Sequence, residues 1–396
     1  MEDRHKVRLR SEVFSSAKRV VIKVGSGVLT AENDLNTEII EDLAEDICEL
    51  KGGGREFIIV SSGAIAAGLK KLGLRQRPQS ISQLQALAAI GQSTLIISYE
   101  KGFERFKQKV SQILITRDDF NSRIRYLNAR NTIFTLLSWG VIPIINENDT
   151  VAVDEIRFGD NDTLSAMIAN MVKAQLLINL TDIDGLFDGD PRRDPDARLI
   201  EYVDDINRNI LQYASNIPGF LGSGGMHTKI KAIGKVMISG IHAIIANGKK
   251  RNILKRLFSG EPEGTLFLGS QQRGFSERKH WIAFGRIPKG KVFVDRGAET
   301  AILEGFKSLL PSGVECVKGK FHRGDTVFIF NDVEKVIGIG IVNYDSKEIE
   351  KIRGFKSDEI DKVLGYKSED EIIHRDNMVI FDEKDRGDSG ICQLIG

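Results

Sequence analysis

The residues best suited to chemistry sit in short polar clusters, each placed at the end of an apolar run. Val141-Ile142-Pro143-Ile144-Ile145 reads as a buried strand and stops at Asn146-Glu147-Asn148-Asp149. A second cluster, Gly159-Asp160-Asn161-Asp162, leads into a helical apolar pattern from Leu164 through Val172. In an open α/β sheet, small ligands bind outside the carboxyl ends of the strands. Two amide–acid clusters placed there can hold an ammonium and a carboxylate together. The same residues also read as two polar loops, with Asp162 or Thr163 as an ordinary helix N-cap.

Other clusters look built for anions. The β-branched run Arg19-Val20-Val21-Ile22-Lys23-Val24 carries a lysine and ends in Gly25-Ser26-Gly27. Glycine there lets backbone N–H groups come close to a ligand. A buried Lys23 ammonium needs an anionic partner, unless the strand lies at a sheet edge. Phe57-Ile58-Ile59-Val60 runs into Ser61-Ser62-Gly63 and a helix over 64–72, an arrangement that offers hydroxyls and N–H groups to an anion. A strand over 174–180 ends at Thr181-Asp182. The loop Gly222-Ser223-Gly224-Gly225-Met226-His227-Thr228-Lys229 opens a helix over 230–239 and suits a phosphate. It is not a Walker A sequence.

Elements that alternate must position these clusters. Helices are expected over 37–51, stopped by Gly52-Gly53-Gly54, and over 81–99 and 124–139, with strands over 110–116 and 241–246. Strands alternating with helices imply an α/β domain with a largely parallel sheet sandwiched by helices. Near 269–274 the composition turns polar, and short β-like runs follow, Val292-Phe293-Val294 and Val327-Phe328-Ile329-Phe330. The expected division is an N-terminal extension over 1–16, a catalytic domain over 17–268, a linker over 269–276, a small mostly β domain over 277–380 and a polar tail over 381–396.

Composition excludes some function classes. With 56 basic and 55 acidic residues the net charge is +1, so no global field points to nucleic acid or a membrane. Residues 277–369 hold 17 basic and 15 acidic side chains and show no basic stripe. Cys48, Cys316 and Cys392 have no CxxC spacing and imply neither a disulfide framework nor a zinc site. No apolar run approaches a membrane span, and the charged N-terminal stretch lacks the core of a secretory signal. A cytoplasmic location is expected.

Taken in order, these motifs resemble the two-domain glutamate 5-kinases of the amino-acid-kinase family. The resemblance rests on Lys23-Val24-Gly25-Ser26-Gly27, Ser61-Ser62-Gly63-Ala64-Ile65-Ala66-Ala67-Gly68, Leu127-Asn128-Ala129-Arg130, Ile145-Asn146-Glu147-Asn148-Asp149, Gly159-Asp160-Asn161-Asp162, Thr181-Asp182 and the loop ending at Lys229. Val294-Asp295-Arg296-Gly297-Ala298 and Ser308-Leu309-Leu310-Pro311 look like the PUA domain such kinases carry. The resemblance implies an amino-acid-kinase fold and transfer of the ATP γ-phosphoryl group to the γ-carboxylate of L-glutamate, the first step of proline biosynthesis.

It also implies the roles. Ser62, Asp149 and Asn161 would hold glutamate; Lys23 and Lys229 would flank the transferring phosphoryl group, with Asp162 between them. Gly25 and Ser26 would join the nucleotide site, Thr181 and Asp182 would sit near base and ribose, and Ser223, Gly224, Gly225, Met226, His227, Thr228 and Lys229 would wrap the phosphates. Mg²⁺ would be held largely by ATP, with no protein metal site assigned. Proline as feedback inhibitor, a homodimer or homotetramer, contact with a glutamyl phosphate reductase and RNA binding by the PUA domain follow from the resemblance alone. One departure is Gly27, which stands where the family often has a second hydroxyl residue. The His227 side chain is expected to be structural or solvated. Aspartokinases, which carry paired regulatory modules where this chain looks like PUA, and uridylate and carbamate kinases, which normally lack the appended domain, are rivals, and an RNA-binding regulator is a rival from another class.

Overall fold

Apolar, β-branched runs set the centre of the structure, a computed structural model that describes residues 2–31, 34–74, 76–152, 161–215, 225–270 and 276–381. Gly159, Asp160, Ser223 and Gly224 lie outside the described residues, as do Met1, most of the expected linker and nearly all of the expected tail. The chain divides into two compact units, Met1–Gln272 and Arg273–Gly396.

In chain order the strands of the first unit are β1 (Arg19–Val24), β2 (Thr30–Ala31), β3 (Asp34–Leu35), β4 (Glu56–Ser61), β5 (Val110–Ile115), β6 (Ile142–Glu147), β7 (Leu176–Thr181), β8 (Tyr202–Val203), β9 (His242–Asn247) and β10 (Thr265–Phe267). Eight of them form one sheet, ordered β5-β6-β4-β1-β7-β9-β10-β8; β2 and β3 pair separately as a short antiparallel ribbon. Every neighbouring pair in the large sheet is parallel except β9 with β10. Parallel strands covered on both faces need continuous apolar runs. That is why β1, β4, β6 and β7 are almost entirely buried. The expected α/β sandwich with a largely parallel sheet is what the chain forms.

The chain places β4 on one side of β1 and β7 on the other, so the strand order reverses direction about β1. A crevice outside the carboxyl ends opens at such a switch point. Two of the helices beside the sheet pack unusually closely. A Cβ at Gly91, in the helix Ile81–Glu104, would lie 1.8 Å from the Ala64 carbonyl oxygen, and one at Gly68 would lie 2.1 Å from that of Leu87. Only glycine lets the helix after Ser62-Gly63 lie this close to its neighbour.

The residues read as an N-terminal extension form the helix Glu2–Ser16, which contributes Val13 and Phe14 to the main core. Arg10 is 2% exposed and donates to the carbonyls of Glu261, Glu263 and Gly264. The apolar content of this helix is too small to show as a periodic pattern, and only packing reveals it.

The second unit is built on a five-stranded sheet of β11 (Gly290–Val294), β12 (Val314–Gly319), β13 (Thr326–Phe330), β14 (Val336–Ile341) and β15 (Met378–Ile380), ordered β12-β11-β13-β14-β15. Val292, Val294, Val327, Ile329 and Ile337 alternate inward from it onto Tyr344, Ile349 and Ile360 of the helical side. Among the described residues no helix is long and apolar enough to cross a membrane.

Candidate active site

Four elements converge on one carboxylate. Lys23 comes from the carboxyl end of β1, Asn179 from β7, Asp162 from the first turn of the helix Asn161–Met171, and Lys229 from the helix Met226–Ile238. Asp162 is fully buried. Its Oδ1 accepts from Lys23 Nζ at 2.6 Å and from Asn179 Nδ2 at 2.9 Å, and its Oδ2 accepts from Lys229 Nζ at 3.0 Å. Burial alone would raise the Asp162 pKa. The two ammoniums, with hydrogen bonds from Lys23 and Asn179, reverse that and hold the carboxyl down at about 2. A carboxylate in this setting is a fixed anion that orients two cations, not a proton carrier.

Asn179 was not among the residues singled out from the sequence. It sits in register with Lys23 on the neighbouring strand, inside the otherwise apolar Leu176-Leu177-Ile178-Asn179-Leu180. A lone amide in a run of buried aliphatics was the signal that could have found it. Its Oδ1 is buried without a hydrogen-bond partner among the described residues.

The anion loops lie beside this carboxylate. Gly25 donates its N–H to the Leu180 carbonyl at 3.0 Å, and a Cβ on it would stand 3.5 Å from Lys23 Nζ. Ser26 begins the short helix Ser26–Leu29. Gly27 approaches Asp182 so closely that a Cβ would lie 3.2 Å from its carboxyl carbon. The glycine that departs from the family pattern is therefore packed against Asp182. Thr181 ends β7 and donates from Oγ1 to Asp182 Oδ1 at 3.2 Å.

The helix expected from residue 230 starts at Met226, with Gly225 as a cap that offers no side chain. Met226, His227, Thr228 and Lys229 are thus its first turn rather than loop. A helix leaves its first N–H groups without intrahelical acceptors, which favours an anion there. The Met226 side chain is buried, Thr228 Oγ1 donates to the Gly225 carbonyl, and His227 Nδ1 meets Ser215 Oγ at 3.3 Å. Burial, helped by the Lys231 charge, lowers the His227 pKa.

The acid–amide side is a hydrogen-bond relay. Asn161 Nδ2 donates to the Ser61 carbonyl at 2.8 Å, Ser62 Oγ at 2.9 Å and Asn146 Oδ1 at 3.1 Å. A backbone carbonyl can only accept, so this contact turns the Asn161 NH₂ toward Ser61. Its Oδ1 is the remaining acceptor of that amide. Ser61 Oγ bonds Tyr99 Oη at 2.9 Å, and burial raises the pKa of that tyrosine. Asp149 lies half-buried in the turn after β6, the strand that carries Asn146. Two hydrogen-bond acceptors, Asn161 Oδ1 and the Asp149 carboxylate, suit an ammonium.

Among the described residues no group of three or more His, Cys, Asp or Glu side chains could hold a metal ion. Asp162, the carboxylate nearest the lysines, already has its oxygens taken by two ammoniums and an amide.

Residues 18–247 match the amino acid kinase family, and residues 290–364 match the PUA domain. A glutamate 5-kinase of Geobacter sulfurreducens is 51% identical over 94% of this chain and 100% of its own length. One from Geobacter metallireducens is 52% identical with the same coverage. A third, from Thermoanaerobacter sp. strain X514, is 49% identical over 93% of this chain and 99% of its own.

Proposed function

The chain belongs to the amino acid kinase family and, within it, to the glutamate 5-kinases, and from that premise we propose how its residues divide the work. The enzyme uses ATP to phosphorylate the γ-carboxylate of L-glutamate, giving L-glutamyl 5-phosphate and ADP, the first step of proline biosynthesis. The observation that carries the division of roles is the Asp162 carboxylate held between Lys23 and Lys229.

The nucleophile is an oxygen of the γ-carboxylate, which is ionised at neutral pH and needs no general base. It forms a bond to the γ-phosphorus as the bond from that phosphorus to the ADP oxygen breaks, and ADP leaves with the electron pair. The obstacle is bringing an anion up to a polyanion, so catalysis reduces to positioning and charge stabilisation. An ammonium has three N–H donors. Lys23 and Lys229 each give one to Asp162, which sets their directions, and donate others to oxygens of the transferring group. The Gly25 N–H is spent on the Leu180 carbonyl, so Gly25 serves by letting the chain pass close, while the Ser26 N–H and the first turn at Met226–Lys229 receive the phosphates; Ser223, Gly224 and Gly225 join them by family resemblance. Thr181 and Asp182 lie toward base and ribose. Mg²⁺ carried by ATP would screen its phosphate charge, and no side chain of the site is assigned to it.

Ser62, Asp149 and Asn161 hold the amino acid. Asn161 Oδ1 and Asp149 accept from its α-ammonium, which directs the γ-carboxylate toward the lysines. The same reading carries feedback by proline, a homo-oligomer and delivery of the labile acyl phosphate to a reductase.

A hydroxylamine trap tests it. The chain is incubated with MgATP and L-glutamate, L-aspartate, UMP or carbamate, and ADP and acyl hydroxamate are measured. Hydroxamate with glutamate alone, matched to ADP, is the expected outcome. ADP release only with UMP or carbamate would move the substrate and overturn the assignment.

A further inference from the structure

The helix Ile81–Glu104 carries three polar side chains at seven-residue intervals, Gln85, Gln92 and Tyr99. Two helical turns separate each from the next, so all three lie along one face. Each grips a different segment of the acid–amide site. Gln85 Nε2 donates to the Ala152 carbonyl at 2.9 Å, beyond Asp149 in the turn after β6. Gln92 Oε1 accepts from Asn146 Nδ2 at 2.9 Å. Tyr99 Oη meets Ser61 Oγ. None of these three was singled out for chemistry by its motif.

The middle contact has a chemical consequence. Asn161 must turn its NH₂ toward the Ser61 carbonyl, so Asn146 must present an oxygen to that NH₂. Asn146 does this only while its own NH₂ is directed away, and Gln92 Oε1 is the acceptor that receives it. We propose that Gln92 is a positioning residue for amino-acid recognition: through Asn146 it secures, together with the Ser61 carbonyl, which atom of Asn161 faces the ligand, and so keeps the site an acceptor for an α-ammonium. This rests on the reading of Asn161 as a glutamate ligand. Without the Gln92 acceptor, Asn146 can turn over, two NH₂ groups then meet, and the Ser61 carbonyl is left to orient Asn161 against that repulsion. The glycine beside it, Gly91, seats the helix directly against Ala64, so the Gln92 side chain starts from a fixed backbone.

The test uses the full chain with Gln92→Met, which keeps length and helix propensity and removes the acceptor, and Gln92→Glu, which keeps an acceptor. The glutamate KM, ATP KM, kcat and thermal midpoint are measured. Gln92→Met should raise the glutamate KM roughly tenfold or more, the effect of losing a hydrogen bond to a charged group, with kcat and ATP KM unchanged. Gln92→Glu should restore a glutamate KM near that of wild type. Gln92→Lys, which also lacks an acceptor, should behave like Gln92→Met and serves if the latter does not fold. An unchanged glutamate KM in Gln92→Met, an equal rise in Gln92→Glu, or a parallel rise in ATP KM overturns the proposal while the reaction assignment stands. A wild-type chain that cannot use glutamate overturns the assignment and this proposal with it.

Discussion

Lys23 and Asn179 lie side by side in register on adjacent parallel strands, and both donate to the same oxygen, Asp162 Oδ1, at 2.6 and 2.9 Å. Parallel pairing makes neighbours of residues far apart in the chain, and here it puts a cation and an amide on one carboxylate. The second oxygen is taken by Lys229 from another direction. Asp162 is therefore clamped, and it can hold two ammoniums at a set separation.

Replacing Asn179 by leucine separates activity from stability. The variant loses a donor to Asp162, so kcat should fall roughly tenfold, about the worth of one hydrogen bond to a charged group. The same change removes a buried oxygen with no partner among the described residues, a group whose burial costs about 1–3 kcal/mol. The thermal midpoint should stay at or above that of wild type. A melt lowered by many degrees with kcat intact would reverse both parts.

Asp162 sets an acid dependence. Its pKa is held at about 2, below the ordinary 3.8, so its contribution to stability is fully present above pH 3.8 and is lost as pH falls toward 2. Asp162→Asn leaves two buried ammoniums facing a neutral amide and should cost about 3 kcal/mol or more at neutral pH. In urea denaturation the gap between wild type and variant should be largest from pH 4 upward and narrow below it. A gap that stays constant down to pH 3 and beyond would show that this ionisation does not stabilise the fold.

Lys229 and Asp149 should fail in different ways. Lys229→Ala removes a preorganised charge from the transferring group and should lower kcat by roughly 10²–10³. Asp149→Ala removes an acceptor for the ammonium and should raise the glutamate KM roughly tenfold, with kcat nearly kept. Steady-state kinetics on both substrates separates the two; an interchange of the effects would exchange the roles.

Gly91→Ala should destabilise, although alanine in a helix is ordinarily better than glycine by about 1 kcal/mol. The added Cβ would stand 1.8 Å from the Ala64 carbonyl oxygen, which is backbone and cannot rotate away. Overpacking of this kind costs about 1–3 kcal/mol and sometimes more. Because Gln92 moves with the helix, the glutamate KM should rise as the melting point drops.

Much of the fold was visible in residue order. Lys23 within a β-branched run, Ser61-Ser62-Gly63 after a buried strand and Thr181-Asp182 after another mark strand ends, because parallel strands buried on both faces must be apolar until they leave the sheet. Those patterns are local, and they determined the alternation, the parallel sheet and most of the polar clusters. Tertiary structure alone decided which of the clusters share atoms. Strand register put Asn179 beside Lys23, tertiary packing brought the stripe of Gln85, Gln92 and Tyr99 onto Ala152, Asn146 and Ser61, and packing drew Val13 and Phe14 into the core with Arg10 on the carbonyls of Glu261 and Glu263. The physical reason is the same in each case. A hydrogen bond between residues distant in the chain depends on angles and separations accumulated over every element between them, and no window of sequence contains that sum.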